Sequence, residues 1–430
     1  MAALAISRFG ETDSLASANF LEVLLKDYPN REFQVRLWDG ATWGVVDRPR
    51  FTLVLRHPGA LCAMFSHPSE LTLGEAYVYD DFDIEGEIEA AFEFADFLLQ
   101  QKRSLAKSFD LVRRLWNLPT NSGNCKNRRP VTFDGSLHSR DRDRQAVSYH
   151  YDLPVNFYAL WLDQRLVYSC AYFVTPDDNL DSAQGHKLDY ICRKLRLRPG
   201  ERLLDIGCGW GGLLIHAAAH YGVEAVGITL SVPQAELARQ RLCEAGLSNR
   251  CRVEVADYRD LEHGQVYDKI VSVGMFEHVG EALLPEYFSR AYELLRPGGV
   301  FLNHGIAYSA TYHRQGPSFS DLYVFPDSDL VPINATIRAA ELSGFEVRDV
   351  ESLREHYALT LHHWVQRLEA HAEEAQRITD DTTYRIWRLY IAGAAHRMRR
   401  SHLNVYQTLL AKPVNGRSGL PLTREDWYGK

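Results

Sequence analysis

Short apolar runs at 201–206, 223–229, 250–255, 267–273 and 297–304 alternate with longer amphipathic stretches, most of them ten residues or more. Runs of that length with a covered, helix-periodic stretch between them predict a parallel sheet with helices on both faces. Two further runs, 345–350 and 405–410, read as strands, and 353–402 between them is largely helical in pattern. Upstream, 33–38 and 51–55 alternate with the period of two that strands require, and Asp39 with Gly40 supplies a turn signal between them. Residues 86–100 read as a helix. No internal repeat or low-complexity tract interrupts the chain. The pattern therefore predicts a small N-terminal α+β domain over 1–115, a basic linker over 116–145 and a larger α/β domain over 146–430.

Residues 101–145 differ from their surroundings. They carry eleven Lys or Arg against four Asp, in a chain of 430 residues whose formal net charge is −8. Leu105, Phe109, Val112 and Trp116 recur at helical spacing with Lys107, Arg113 and Arg114 among them, and Pro119 ends the helix. The stretch 121–130 reads as a linker. Two roles fit: a docking helix followed by a solvated connector, or a membrane-surface segment.

Bulk composition narrows the function classes. With 46% hydrophobic and 24% charged residues the chain supplies an ordinary globular core. Its negative balance argues against a nucleic-acid binder of the usual basic kind. Seven cysteines, an odd number with no zinc or disulfide spacing, point to a reducing interior. The first residues lack a basic start followed by a long apolar run, and no stretch approaches the ~20 apolar residues that span a bilayer. A cytosolic protein that touches the inner face of a membrane peripherally is expected.

The segment 203–212 lies between the first strand of the larger domain and a helix. Asp205 ends the strand, and Gly207 and Gly209 let the backbone turn tightly and approach a ligand. A dinucleotide site would show G-x-G-x-x-G and a carboxylate ending the second strand. Here the glycines run G-x-G-x-G-G after an Asp, which suits the amino acid and ribose of S-adenosylmethionine better than a pyrophosphate. The second strand ends not in a carboxylate but in Thr229, Leu230, Ser231 and Gln234. Hydroxyl and amide groups there can bond a ribose, and Ser231 is also suited to cap the following helix.

Five segments, 149–153, 168–173, 203–212, 274–280 and 303–306, together closely resemble the cyclopropane-fatty-acid synthases and the related mycolic acid methyltransferases. The resemblance covers about 146–411, the block 71–86 is similar to the family's N-terminal domain, and the Thr-Leu-Ser-x-x-Gln ending of the second strand also fits. It implies an α/β fold, a Rossmann-like class I methyltransferase domain with a smaller N-terminal α+β domain, and a catalytic sheet of about seven strands whose last pair forms an antiparallel edge. It also implies a bound bicarbonate as proton acceptor, held by Cys170, Glu277, His304, the Ile306 backbone and Tyr357. For S-adenosylmethionine it implies Tyr168 and Ser169 at the methionine end, then Asp205, Gly207 and Gly209, with Thr229, Leu230 and Gln234 at the ribose. Tyr258 and Arg259 would lie near the adenine, where the family often has Trp-Glu. The implied partner is an unsaturated phospholipid in a membrane, with no nucleic acid; a homodimer is left open.

The chemistry of the acceptor matches that cluster. An alkene has no proton for a base to remove before attack, so its π electrons take the methyl from a sulfonium and leave a carbocation. The site must align the acceptor, exclude water, offer π faces and remove a proton from the new methyl so that a ring closes. The same frame also admits methyl or methylene branching, and a non-catalytic lipid-binding protein is the rival of another class. Tyr308, Tyr312, Phe319, Tyr323 and Phe325, within 308–330, are expected to cover the site and shape the lipid entrance.

Overall fold

The computed structural model describes residues 11–30, 32–44, 46–100, 105–119, 133–262, 264, 266–312, 316 and 318–428; the side chains of residues 11, 12 and 105–107 lie outside that description. The whole 121–130 linker, with Arg128 and Arg129, lies outside it too. In chain order the elements begin with α1 (Glu11–Leu24), β1 (Phe33–Arg36), β2 (Thr42–Trp43), β3 (Phe51–Leu55), α2 (Ala60–Phe65), α3 (Glu70–Val78), β4 (Phe82–Gly86), α4 (Ile88–Gln100) and α5 (Leu105–Trp116). There follow α6 (Arg140–Tyr151), α7 (Val155–Ala159), α8 (Leu180–Leu195), β5 (Arg202–Ile206), α9 (Gly212–Tyr221), β6 (Glu224–Thr229), α10 (Val232–Glu244), β7 (Cys251–Val255) and β8 (Tyr267–Val273). The chain ends with α11 (Leu284–Leu294), β9 (Leu295–Tyr308), α12 (Phe319–Tyr323), α13 (Ile333–Leu342), β10 (Glu346–Ser352), α14 (Arg354–Ala370), α15 (Ala372–Ile378), α16 (Asp381–Arg399), β11 (Leu403–Ala411) and α17 (Glu425–Tyr428).

Two compact units result, and neither is contiguous in sequence. One comprises residues 1–131 with 317–324 and 380–396; the other comprises 132–316, 325–379 and 397–430. In the first, four strands run in the order β2-β1-β3-β4. The turn at Asp39 and Gly40 does not join β1 to β3 as a hairpin; it joins β1 to the two-residue β2, which pair antiparallel across it. β1 pairs parallel with β3. The helix α16 belongs to this unit because its arginines are buried there. Arg385 reaches Asp80 (2.9 Å) and Asp83 (3.0 Å), and Arg388 donates to Tyr77 Oη (2.8 Å). Phe319 and Tyr323, expected over the site, are also part of it. Their rings stack 4.9 Å apart, and Tyr323 Oη donates to Glu75 (2.7 Å).

In the second unit seven strands run β10-β11-β9-β8-β5-β6-β7. β7, β6, β5, β8 and β9 are mutually parallel, and β11 runs antiparallel to both β9 and β10. The fold is thus mixed α/β around a mostly parallel sheet, as expected. Each face carries an apolar core. Leu188, Ile191, Leu214, Ala217, Ala235 and Ala238 of α8, α9 and α10 pack on one face. Tyr287, Phe288, Ala291 and Ala340 of α11 and α13 pack on the other. Strands buried on both faces are what near-continuous apolar runs require. The cofactor loop follows β5, beside β6 and β8, at the carboxyl ends of the central strands, where open sheets of this kind place their ligands.

Candidate active site

The loop after β5 is built by its own backbone. The N–H groups of Gly207 and Cys208 both donate to the carbonyl of Ile228 on β6, at 2.9 and 3.0 Å. Gly207 sits at φ +86°, and a Cβ there would lie 2.7 Å from the Cβ of Met275, so only glycine fits. A cleft of ≈1160 Å³, its open mouth included, lies over this loop, and every residue expected at the cofactor lines it: Tyr168, Ser169, Asp205, Gly207, Gly209, Thr229, Leu230, Gln234, Tyr258 and Arg259.

The ends of β6 and β7 shape the far side of the cleft. Thr229 Oγ1 donates to Gln234 Oε1 (2.8 Å). Ser231 caps α10 by accepting from Gln234 N (3.3 Å) and donates to Asp152 (2.8 Å). Arg259 is turned to its own neighbours. Its guanidinium bonds Asp257 and, at 2.8 Å, Asp143. The salt bridges of Arg259 therefore fix Asp257 and Asp143, both of which line the cleft.

Aromatic rings enclose the side of the cleft nearest Tyr168. Tyr168 lies 5.3 Å from Trp161 and 5.2 Å from Trp364, and Trp364 meets Tyr357 edge-on at 6.0 Å. His150 stacks against Tyr168 and Phe325, and His278 against Tyr151 and Phe325. Of the aromatics expected as a lid, Phe325 stands in this wall. Tyr308 and Tyr312 stack on each other, and Tyr312 on His402.

The five residues expected to hold an anion fall into two hydrogen-bonded groups. Glu277 is buried; its Oε1 accepts the backbone N–H of Ile306 (2.8 Å), while its Oε2 has no partner among the described residues. Burial pushes its pKa up to about 7. On β9, next to Ile306, His304 is buried, and burial lowers its pKa to about 3, so the ring is neutral. Gln407 of β11 sits opposite His304 in the strand register and donates to its Nδ1 (3.2 Å). This placement of the amide nitrogen against Nδ1 suits the tautomer that carries its proton on Nε2. The second group joins the segment before α8 to the start of α14. The thiol of Cys170 approaches the carbonyls of Ala171 (3.2 Å) and Leu353 (3.8 Å), and Leu353 O also accepts the N–H of Tyr357 (2.9 Å). Burial keeps the thiol protonated, far above its ordinary range.

Two buried residues that sequence reasoning did not single out complete the picture. Gln407 carries no local motif. Lys187 of α8 lines the cleft, and its Nζ donates to Ser169 Oγ (2.8 Å). It acts electrostatically on Asp205, Cys170 and His304. Gln184, one turn earlier, donates to the carbonyls of Val167 (3.2 Å) and Ser169 (2.9 Å), fixing the segment that carries Tyr168.

Comparison with known proteins agrees with this geometry. Residues 138–408 match the family described as mycolic acid cyclopropane synthetase, and residues 20–108 match a domain of unknown function. A probable fatty acid methyltransferase of Pseudomonas putida is 41% identical over 92% of this chain and 96% of its own. The cyclopropane-fatty-acyl-phospholipid synthase of Escherichia coli K12 is 36% identical over 67% of this chain and 73% of its own. A solved mycolic acid cyclopropane synthase, CmaA1 complexed with SAH and CTAB, superposes with a TM-score of 0.59 at 35% identity, covering 62% of this chain and 97% of that one. The chain belongs to the mycolic acid cyclopropane synthetase family of S-adenosylmethionine-dependent methyltransferases.

Proposed function

We propose that the protein transfers the methyl of S-adenosylmethionine to the cis double bond of an unsaturated phospholipid acyl chain and closes it to a cyclopropane. The observation that carries this is the buried Glu277 carboxyl, held at one oxygen and unpartnered at the other, beside an aromatic wall. The sulfonium supplies an electrophilic methyl. As the alkene π electrons form the new C–C bond, the C–S electrons leave with sulfur and positive charge remains on the chain. The rings of Tyr168, Trp364 and Tyr357 offer π faces to that charge and exclude water. Loss of a proton from the added methyl closes the ring.

The fit to bicarbonate rests on the unpartnered Glu277 Oε2. A carboxyl whose pKa is pushed to about 7 retains a proton to share with an oxyanion. His304 Nε2, Cys170 and Tyr357 are the further groups that would hold it, and the Ile306 N–H orients Glu277. Bicarbonate supplies a base for the methyl proton. At the cofactor, Tyr168 and Ser169 take the methionine end together with Asp205, Gly207 and Gly209, while Thr229, Leu230 and Gln234 take the ribose. Tyr258 borders the adenine, and Arg259 serves it by holding Asp257.

Among the described residues no helix is long and apolar enough to cross a membrane. We infer peripheral contact with the inner face of an anionic membrane, supported by α5. Phe109 and Trp116 are 74% and 81% exposed on its outer side, with Val112 between them, while Leu111 is buried.

A branched product is the second reading, favoured by the naming of the Pseudomonas putida relative as a probable fatty acid methyltransferase. Incubation with trideuteromethyl-labelled S-adenosylmethionine and unsaturated phospholipid vesicles, with mass spectrometry and NMR of the product, decides between them. A product that keeps two deuteriums and shows ring methine protons supports cyclopropanation, and three retained deuteriums or olefinic methylene carbon signals overturn it. Cofactor binding with no lipid product points to a lipid-binding protein.

A further inference from the structure

Lys187 is 1% exposed, and its Nζ makes one hydrogen bond, to the neutral hydroxyl of Ser169 (2.8 Å). Among the described residues it has no ion pair. Of the carboxylates near it, Asp163 is occupied by its own loop, accepting the N–H groups of Val167 (2.7 Å) and Arg165 (3.1 Å). The other is Asp205, 2% exposed, whose carboxyl makes no hydrogen bond or ion pair with the described residues either. The two opposite charges line one cleft without closing on each other. Buried charges are rarely left uncompensated, because removing an ion from water costs several kcal/mol. A ligand carrying one positive and one negative group a few ångströms apart compensates both.

We propose that Lys187 is a positioning residue that receives the α-carboxylate of the bound S-adenosylmethionine, while Asp205 receives its α-ammonium. This rests on the cofactor part of the proposed function and on nothing concerning the lipid. Ser169 sits between Lys187 and the methionine end and holds the ammonium of the lysine in place. The arrangement selects for an intact amino acid portion and sets where the sulfonium lies along the cleft. The lysine, whose pKa burial lowers to about 8, is strengthened as a cation when the carboxylate arrives.

Calorimetry with three ligands tests this: S-adenosylhomocysteine, its carboxamide analogue and 5′-methylthioadenosine, which lacks the amino acid. The wild type is expected to bind the carboxamide about 10- to 100-fold more weakly than S-adenosylhomocysteine, the range of one charge-assisted hydrogen bond. The Lys187→Met variant should lose a similar factor on S-adenosylhomocysteine, cease to distinguish it from the carboxamide, and keep its affinity for 5′-methylthioadenosine. Equal wild-type affinity for acid and carboxamide overturns the proposal, whether or not the variant folds. Equal losses of the variant on all three ligands assign Lys187 a structural role and also overturn it. Failure of the wild type to bind S-adenosylhomocysteine at all removes the cofactor assignment itself.

Discussion

The backbone N–H of Ile306 donates to Glu277 Oε1 across 2.8 Å, and the other oxygen of the same buried carboxyl has no partner among the described residues. One bond fixes the direction of the carboxyl and leaves its second oxygen for chemistry. Glu277→Gln keeps the acceptor for Ile306 but removes the titrating proton. Turnover is expected to fall at least ~100-fold, the usual scale of a lost proton-transfer group, with S-adenosylmethionine affinity nearly unchanged. Wild-type turnover in the variant would exclude Glu277 from the reaction.

The same residue gives a pH dependence of stability. Burial raises its pKa to about 7 from the ordinary 4.5 of a glutamate, so the folded state binds the proton more tightly than the unfolded state. Its contribution is full below pH 4.5 and is lost as pH rises through 7. Denaturant melts should therefore show Glu277→Gln gaining stability relative to wild type between pH 5 and pH 8, by up to about 3 kcal/mol. A difference that stays constant over that window contradicts the raised pKa.

Gly207 and Gly209 differ in a way that affinity measurements can resolve. Both have positive φ, but a Cβ at Gly207 meets Met275 at 2.7 Å while one at Gly209 meets nothing within 4 Å. Gly209→Ala carries only the left-handed backbone cost of ~1 kcal/mol. Gly207→Val adds the clash, and calorimetry should show S-adenosylmethionine binding at least 10-fold weaker than in the Gly209 variant. Equal affinities in two folded variants would remove the close-approach role of Gly207.

Gln407 offers a third test. Replacing it by Leu deletes the donor to His304 Nδ1 and frees the ring to change tautomer and angle. Turnover should fall by about 10-fold or more with unchanged cofactor affinity, in the way that loss of an orienting partner costs activity without touching binding. A variant with wild-type turnover shows that β9 and its neighbours already fix His304.

For α5, vesicle co-sedimentation reads the exposed side. Phe109→Ser with Trp116→Ser should weaken binding to anionic vesicles, and replacing Lys107, Arg113, Arg114, Arg128 and Arg129 by Gln should weaken it further and reduce its salt dependence. In the described part of that set, Arg113 and Arg114 share Asp110 at 2.9 Å, so the aromatic pair is expected to dominate. Equal sedimentation of all variants places membrane docking elsewhere.

Legibility in the sequence followed locality. The glycine loop, Thr229 and Gln234 could be read because strand, turn and helix start lie within a few residues of one another, and all of them line the cleft. Lys187 could not, since it lies on α8, ahead of the first strand of the sheet, and its hydrogen-bond partner in the cleft, Ser169, is eighteen positions away. Gln407 depends on the register of β11 against β9, which no local pattern encodes. The strands at 33–36 and 51–55 were legible but their pairing was not, because Asp39 and Gly40 mark a turn without naming the strand that follows it. The packing of Phe319 and Tyr323 within the N-terminal unit was not legible for a similar reason: an aromatic cluster announces burial, not the surface it is buried against.

The return of α16 to the N-terminal unit has a consequence for the order of assembly. Tyr77, Asp80 and Asp83 gain the buried arginines Arg385 and Arg388 from a helix some three hundred residues further along the chain. During synthesis this unit must wait, with that face open, until α16 has left the ribosome, some three hundred residues after the strands and helices it completes. Its folding rate is then bounded by chain elongation and by closure of a very long loop rather than by its own short-range contacts. A fragment ending before residue 381 would present Asp80, Asp83 and Tyr77 without these partners, and dividing the protein at a single peptide bond cannot yield two finished halves.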